Sequence, residues 1–126
     1  MIYESEGHPI VFSEYQTSRP DAKTILFYGH YDVQPVDPLS LWDSDPFDPV
    51  LSSINNEPCI IARGASDDKG QLLTFLLALK YVKNEVGELP FSLKIILEGE
   101  EECGSRTLPI FLEDYKEKLS ADIAYV

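Results

Sequence analysis

The stretch Arg63-Gly64-Ala65-Ser66-Asp67-Asp68-Lys69-Gly70 decides how this chain folds. It is a polar loop between a short apolar run, Cys59-Ile60-Ile61-Ala62, and a long helical pattern that begins near Gln71. A strand, a glycine-bounded acidic turn and a helix form the arrangement in which α/β folds place their chemistry. Asp67 and Asp68 are adjacent carboxylates, and both stay ionised when positive charge lies beside them. Lys69 can serve as a salt partner, and a divalent cation would serve better.

Candidate metal ligands stand on both sides of this stretch. Upstream, Gly29-His30-Tyr31-Asp32 ends the apolar run Thr24 to Tyr28; downstream, Glu98-Gly99-Glu100-Glu101-Glu102 ends the apolar run Phe91 to Leu97. The intervals from His30 to Asp67 and from Asp67 to Glu102 are 37 and 35 residues. Both fit a βαβ-sized unit of roughly 30 residues or more. The expectation is that three strand ends carry ligands to one edge of one sheet.

His30 and Asp32 are two apart, on one face of a strand end. One can bind metal while the other accepts a hydrogen bond from the far imidazole nitrogen. Alone, the pair reads better as a surface histidine beside a solvated aspartate, because His-x-Asp is a common accident. Asp67 and Asp68 alone suit the positive end of a helix. Glu100, Glu101 and Glu102 alone read as a charged turn, although one of them can ligate metal while its neighbour acts as a base. Cys103 is a further thiolate candidate, but a histidine with hard carboxylates already suits zinc or manganese. Taken together on successive strand ends, these groups suit a bridged dimetal centre for amide hydrolysis. There a glutamate takes a proton from water and passes it to the leaving amine.

The rest of the chain gives the frame. His8 to Tyr15 reads as a strand opened by Pro9, and Gln16 to Lys23 as a turn. Gln34 to Pro58, with five prolines, reads as a long irregular segment pinned by Trp42 and Phe47. It either covers the sheet edge or shapes a substrate site. Gln71 to Val86 is the best helix, with Leu72, Phe75, Leu76, Leu79, Val82 and Val86 on one face and Gly87 as the stop. Leu73 and Leu77 widen that face, so the first half should be nearly surrounded by protein. A second helix runs to about Leu119 from a cap at Ser105 or Thr107, and Ala121 to Val126 begins a strand. Met1 to Gly7 is polar and carries no signal.

Composition narrows the class. With 126 residues and 44% hydrophobic residues the chain can build one core. A formal charge of −12 argues against nucleic-acid or anionic-membrane partners. Two cysteines imply no disulfide framework. No basic-then-apolar leader pattern is read after Met1, and no apolar run approaches the roughly 20 residues of a membrane span. The expected location is the cytoplasm.

The motifs Gly29-His30-Tyr31-Asp32-Val33, Arg63 to Gly70 and Glu98-Gly99-Glu100-Glu101-Glu102-Cys103-Gly104-Ser105 resemble those of the co-catalytic zinc exopeptidases. That family includes cytosolic dipeptidases and carnosinases, carboxypeptidase G, aminoacylase, acetylornithine deacetylase and succinyl-diaminopimelate desuccinylase. The likeness runs from about His8 to Val126 and includes the segment Trp42 to Phe47. It implies an α/β fold, a three-layer α/β/α sandwich, here incomplete, and two zinc ions in a complete site, with manganese or cobalt as substitutes. His30 would ligate one metal, with Asp32 as its orienting catalytic carboxylate. Asp67 would bridge, Glu101 would be the general base, and Glu102 would ligate the other metal. The resemblance also implies a cis peptide between Asp67 and Asp68. Asp-Asp-Lys-Gly leans toward the dipeptidase branch.

The implied substrate is a dipeptide or small peptide. An N-acyl amino acid, cleaved by a deacylase, is the alternative. A non-catalytic α/β binding module is the reading from another class. The family also uses a later acidic ligand, a later histidine and a lid domain, none of which lies within residues 1–126; His8 reads as structural. These residues are therefore expected to form part of a catalytic domain that is inactive alone, with an open sheet edge through which copies can associate.

Overall fold

The computed structural model describes residues 1–126. In chain order the elements are β1 (Ile2–Tyr3), β2 (Ile10–Tyr15), β3 (Thr24–His30), β4 (Val50–Ile54), β5 (Glu57–Ile61), α1 (Lys69–Val86), β6 (Ser92–Glu98), α2 (Leu108–Asp114), α3 (Lys116–Leu119) and β7 (Ile123–Tyr125). Five strands form one mixed sheet in the order β1-β2-β6-β3-β7, and β4 pairs with β5 separately. Strands β6 and β7 run parallel to β3 on either side of it, whereas β2 is antiparallel to β6.

The two parallel connections go opposite ways across the sheet. From β3 the chain crosses through α1 to β6; from β6 it returns through α2 and α3, past β3, to β7. Crossovers of the usual hand that travel in opposite directions put their helices on opposite faces. The cores show that arrangement. On one face Phe27 and Leu93 are buried with Leu72 of α1 and with Leu89, and Ile25, Ile95 and Leu97 pack beside them. On the other, Ile10, Phe12 and Ile96 are buried with Phe111 of α2 and Leu119 of α3, against Leu26 and Tyr28. Alternate residues of β3 and β6 thus supply alternate cores, and the result is a three-layer α/β/α arrangement. The parallel strands β6, β3 and β7 end side by side, and carboxyl ends of such strands border the crevice where α/β sheets bind ligands; the direction reverses between β3 and β7. His30 and Glu98 are the last register pair of β3 and β6.

Several expectations are corrected. The apolar run before the Asp67 loop does not join the main sheet. It becomes β5 of a hairpin whose two-residue turn, Asn55-Asn56, has φ of 54° and 67°. Asn tolerates this left-handed region, and two such residues make a strand-reversing turn. The proline-rich segment is therefore partly a hairpin. Trp42 is pinned, with the Arg63 guanidinium 5.1 Å above its ring, but Phe47 is exposed.

Nor is the first half of α1 enclosed. Leu73, Leu76 and Leu77 are 56%, 43% and 53% exposed, because the sheet covers the side that carries Leu72, Phe75, Leu79 and Val82. The second helix breaks at Tyr115, whose ring packs 4.5 Å from Tyr3 and 4.9 Å from Phe111. The amino-terminal residues contain a strand too short for any periodic signal. Tyr3 pairs with Ile10 and fills this same aromatic cluster. No helix is long and apolar enough to cross a membrane.

Candidate metal centre

The end of β3 is held by contacts from α1 and β6. Gly29 lets α1 come close: a Cβ there would lie 2.3 Å from Leu72 Cδ2 and 2.8 Å from Asp68 Oδ2. The His30 amide donates to Asp68 Oδ2 at 3.1 Å, so the second aspartate of the pair is buried and engaged with backbone. Tyr31 ties three elements together. Its N–H donates to the Glu98 carbonyl at 2.8 Å, its carbonyl accepts from Lys69 Nζ at 2.7 Å, and its hydroxyl donates to the Pro9 carbonyl at 2.6 Å. Lys69 is therefore a latch between α1 and the end of β3, not a salt partner of Asp67 or Asp68. The Asp67–Asp68 peptide is cis, as the resemblance implies.

His30 is 6% exposed, with both ring nitrogens facing carboxylates. Nδ1 lies 3.2 Å from Asp32 Oδ1; Nε2 lies 2.9 Å from Asp67 Oδ1 and 3.9 Å from Glu101 Oε2. With Nδ1–H donated to Asp32, the Nε2 lone pair faces two anionic oxygens. That position calls for a cation, either a proton or a metal ion. Burial pulls the His30 pKa down, but the hydrogen bond to Asp67 and the charges of Asp68, Asp32 and Glu101 outweigh it and raise the pKa above the usual value. Asp32 also accepts the Glu102 N–H through Oδ2 at 2.9 Å, joining the histidine to the acidic turn.

The acidic turn splits its side chains two ways. Glu98 and Glu100 are buried, at 1% and 7% exposure. Glu98 Oε1 accepts from the Tyr28 hydroxyl and from Ser105 Oγ. Glu100 accepts from the Thr107 hydroxyl and amide, which hold its carboxyl below the usual range. Burial, the bond to Glu98 and the charges of Glu98 and Glu101 push the Tyr28 hydroxyl well up. Glu101 and Glu102 lie on a single 3-10 turn that ends at Gly104, whose φ is 96°. Glu102 Oε2 accepts from Gln34 Nε2 at 2.7 Å.

One donor atom from each of His30, Glu101 and Glu102 lies within 4.8 Å of the others. Asp67 borders the same imidazole nitrogen. An imidazole and hard carboxylates in this proximity fit a divalent cation. All four of these residues, together with Asp32, were expected at the site. Cys103 is exposed and outside the cluster, its Sγ 3.4 Å from the Glu100 carbonyl, and His8 is likewise exposed and outside. Sequence reasoning missed the inward roles of Asp68 and Glu98 and the contact from Gln34. Glu98 alone had a readable signal, since it shares the strand face of Ile96. The site opens into a groove of about 720 Å³ that runs past Ala65 and Phe75 to Tyr125.

Residues 26–126 match the model of peptidase family M20/M25/M40. The chain is 35% identical over 118 residues to human Beta-Ala-His dipeptidase, covering 94% of this chain and 22% of that protein. It is 36% identical over 113 residues to the Cys-Gly metallodipeptidase dug1 of Schizosaccharomyces pombe, covering 90% and 23%. Among solved structures it resembles an M20 family metallo-carboxypeptidase, Sso-CP2, from Sulfolobus solfataricus. There the TM-score is 0.85 and the identity 43%, over 98% of this chain and 27% of that one. It also resembles human carnosine dipeptidase 1, with a TM-score of 0.74 and 34% identity over 92% and 24%. The chain thus spans about a quarter of the length of these relatives. A family match over most of its residues, with the three acidic and histidine motifs gathered at one crevice, means that the chain belongs to peptidase family M20/M25/M40.

Proposed function

We propose that the protein acts as a metal-dependent hydrolase of dipeptides or other small peptides. The observation that carries this reading is the placement of His30 Nε2 between Asp67 and Glu101, with its Nδ1 held by Asp32. Two relatives are named as dipeptidases, which supports the substrate class. We assign His30 to one metal, Glu102 to the other and Asp67 to the bridge. The donor set favours zinc, with manganese or cobalt as substitutes. A divalent cation at such a site lowers the pKa of water and polarises a carbonyl oxygen.

The residues of this chain supply the rest. Asp32 fixes the His30 tautomer and, through the Glu102 amide, its distance from the acidic turn. Glu101 is partly exposed and accepts no hydrogen bond from the protein. It is free to receive a proton from water and deliver it to the leaving amine. The groove past Phe75 leaves room for a substrate side chain. Both cysteines are unpaired, and we place the protein in the cytoplasm.

The test is a pair of variants in the complete protein. Glu101→Gln is expected to abolish dipeptide hydrolysis with metal content nearly unchanged. Glu102→Gln is expected to lower metal content as well. The reverse pattern would move base and ligand by one residue. Hydrolysis of N-acyl amino acids in preference to dipeptides would replace the substrate class.

A further inference from the structure

Two of the four glutamates after Leu97 do not face the metal centre, and one of them is placed where stability does not explain it. Glu98 ends β6 and is 1% exposed. Its Oε2 is buried and accepts no hydrogen bond. An unpartnered buried carboxylate oxygen is costly, and an apolar side chain of similar shape would avoid the cost. What a carboxylate offers there is a single point that binds two hydroxyls from different segments. Oε1 accepts from Tyr28, on β3 two residues before His30, and from Ser105 Oγ at 2.8 Å, at the end of the turn that carries Glu101 and Glu102.

The turn itself is closed at its base. The Cys103 and Ser105 amides both donate to the Glu100 carbonyl, at 3.1 and 2.7 Å, and the Gly104 amide donates to the Glu101 carbonyl at 3.1 Å. Fixing Ser105 therefore fixes the whole loop from Glu98 to Ser105. At the tip, Asp32 holds the Glu102 amide. The loop is thus tied to β3 and the segment after it at both ends: at its base through Tyr28 and the Tyr31 amide, which donates to the Glu98 carbonyl, and at its tip through Asp32 and Gln34.

We propose that Glu98 is a positioning residue for the metal centre: its carboxylate clamps Tyr28 to Ser105 and so sets the separation between His30 and the Glu101–Glu102 turn. This rests on the reading of Glu102 as a metal ligand. The distinction within the acidic run is then one of direction, with Glu98 bracing from below what Glu101 and Glu102 do above.

The test is titration of the metal-free, complete protein with Zn²⁺ against a chromophoric chelator, with thermal unfolding recorded for each variant. Glu98→Gln keeps an oxygen that accepts both hydroxyls and is expected to bind zinc nearly as the wild type does. Glu98→Ala is expected to lose about tenfold or more in affinity while remaining folded, in the range seen for residues that orient ligands. Ser105→Ala weakens binding in the same direction, and combining it with Glu98→Ala adds little, because both remove one clamp. A folded Glu98→Ala with wild-type affinity overturns the proposal, as does Glu98→Gln behaving like Glu98→Ala. If Glu98→Ala does not fold, Ser105→Ala decides, and unchanged zinc affinity there overturns the clamp. Glu102→Gln is titrated alongside; unchanged affinity in that variant overturns the ligand assignment, independently of the Glu98 and Ser105 results.

Discussion

His30 Nε2 and Asp67 Oδ1 lie 2.9 Å apart although 37 positions separate them in the chain. This contact joins the end of β3 to the start of α1, and a cation between the two groups is what their charges call for. Without metal, a proton on His30 is the cation that these carboxylates favour. The raised pKa of His30 then has a definite sign. Its stabilisation of the metal-free fold is fully present below the unfolded histidine value of about 6.5, and it is lost as pH rises through the higher folded value. Metal competes with that proton. Zinc affinity should therefore rise with pH through and above the ordinary histidine range, with release of a proton that calorimetry in buffers of different ionisation enthalpy can count. His30→Gln should flatten the dependence.

Gly29→Ala should disturb both stability and the centre. The added Cβ would lie 2.3 Å from Leu72 and 2.8 Å from the Asp68 carboxylate. Overpacking of this kind costs about 1–3 kcal/mol. Chemical denaturation should show the loss, and zinc titration should show weaker binding, since Asp68 holds the His30 amide.

Two leucines on α1 should respond differently. Leu72 is 8% exposed, and Leu72→Ala should cost about 2–5 kcal/mol. Leu77 is 53% exposed, and Leu77→Gln should fall within about 0.5 kcal/mol of the parent chain. Urea unfolding of residues 1–126 compares them directly. A large loss for Leu77→Gln would mean that its face is covered.

Acid should weaken the junction between the turn at Thr17 and the end of α1. Glu88 accepts from the Ser18 hydroxyl and amide, from Arg19 Nε and from the Thr17 hydroxyl, and the Ser18 bonds lead in lowering its pKa. Its contribution is present above the unfolded carboxyl value and is lost as pH falls through the lower folded value. Glu88→Gln should therefore reduce stability near neutrality and flatten its decline in acid, as read by unfolding midpoints across pH.

Residues 1–126 alone should not hydrolyse dipeptides. A dimetal hydrolase needs about three protein ligands per metal, counting a shared bridge. On the assignment proposed above, His30, Asp67 and Glu102 supply fewer. Assay of the isolated chain with added zinc or manganese checks this. Turnover that vanishes in Glu101→Gln would show that the chain holds further ligands.

Much of the centre was legible because its residues sit at element ends that hydrophobic runs announce. Thr24 to Tyr28 and Phe91 to Leu97 read as buried strands, so His30 and the glutamates after Leu97 had to emerge near one another. The exposed leucines of α1 were misread because periodicity describes a helix and not what covers it. β5 was misplaced because an apolar run shows that a strand exists but not which partner it takes. Asn55-Asn56 was the overlooked sign that it pairs with its own predecessor. Tyr3 and Gln34 act through single long-range contacts, and no local pattern encodes those.

The β4–β5 hairpin has no strand pairing with the five-stranded sheet. Its segment is tethered where it leaves and returns: the Arg63 amide donates to the Pro46 carbonyl at 2.8 Å, and Lys69 holds the Tyr31 carbonyl. The hairpin from Val50 to Ile61 therefore hangs between two fixed posts, outside the contacts that Gln34 and Pro46 make. Lengthening it at Asn55-Asn56 should therefore leave the distance between His30 and Asp67 unchanged. The chemical centre is in this way insulated from changes of length at the hairpin's tip.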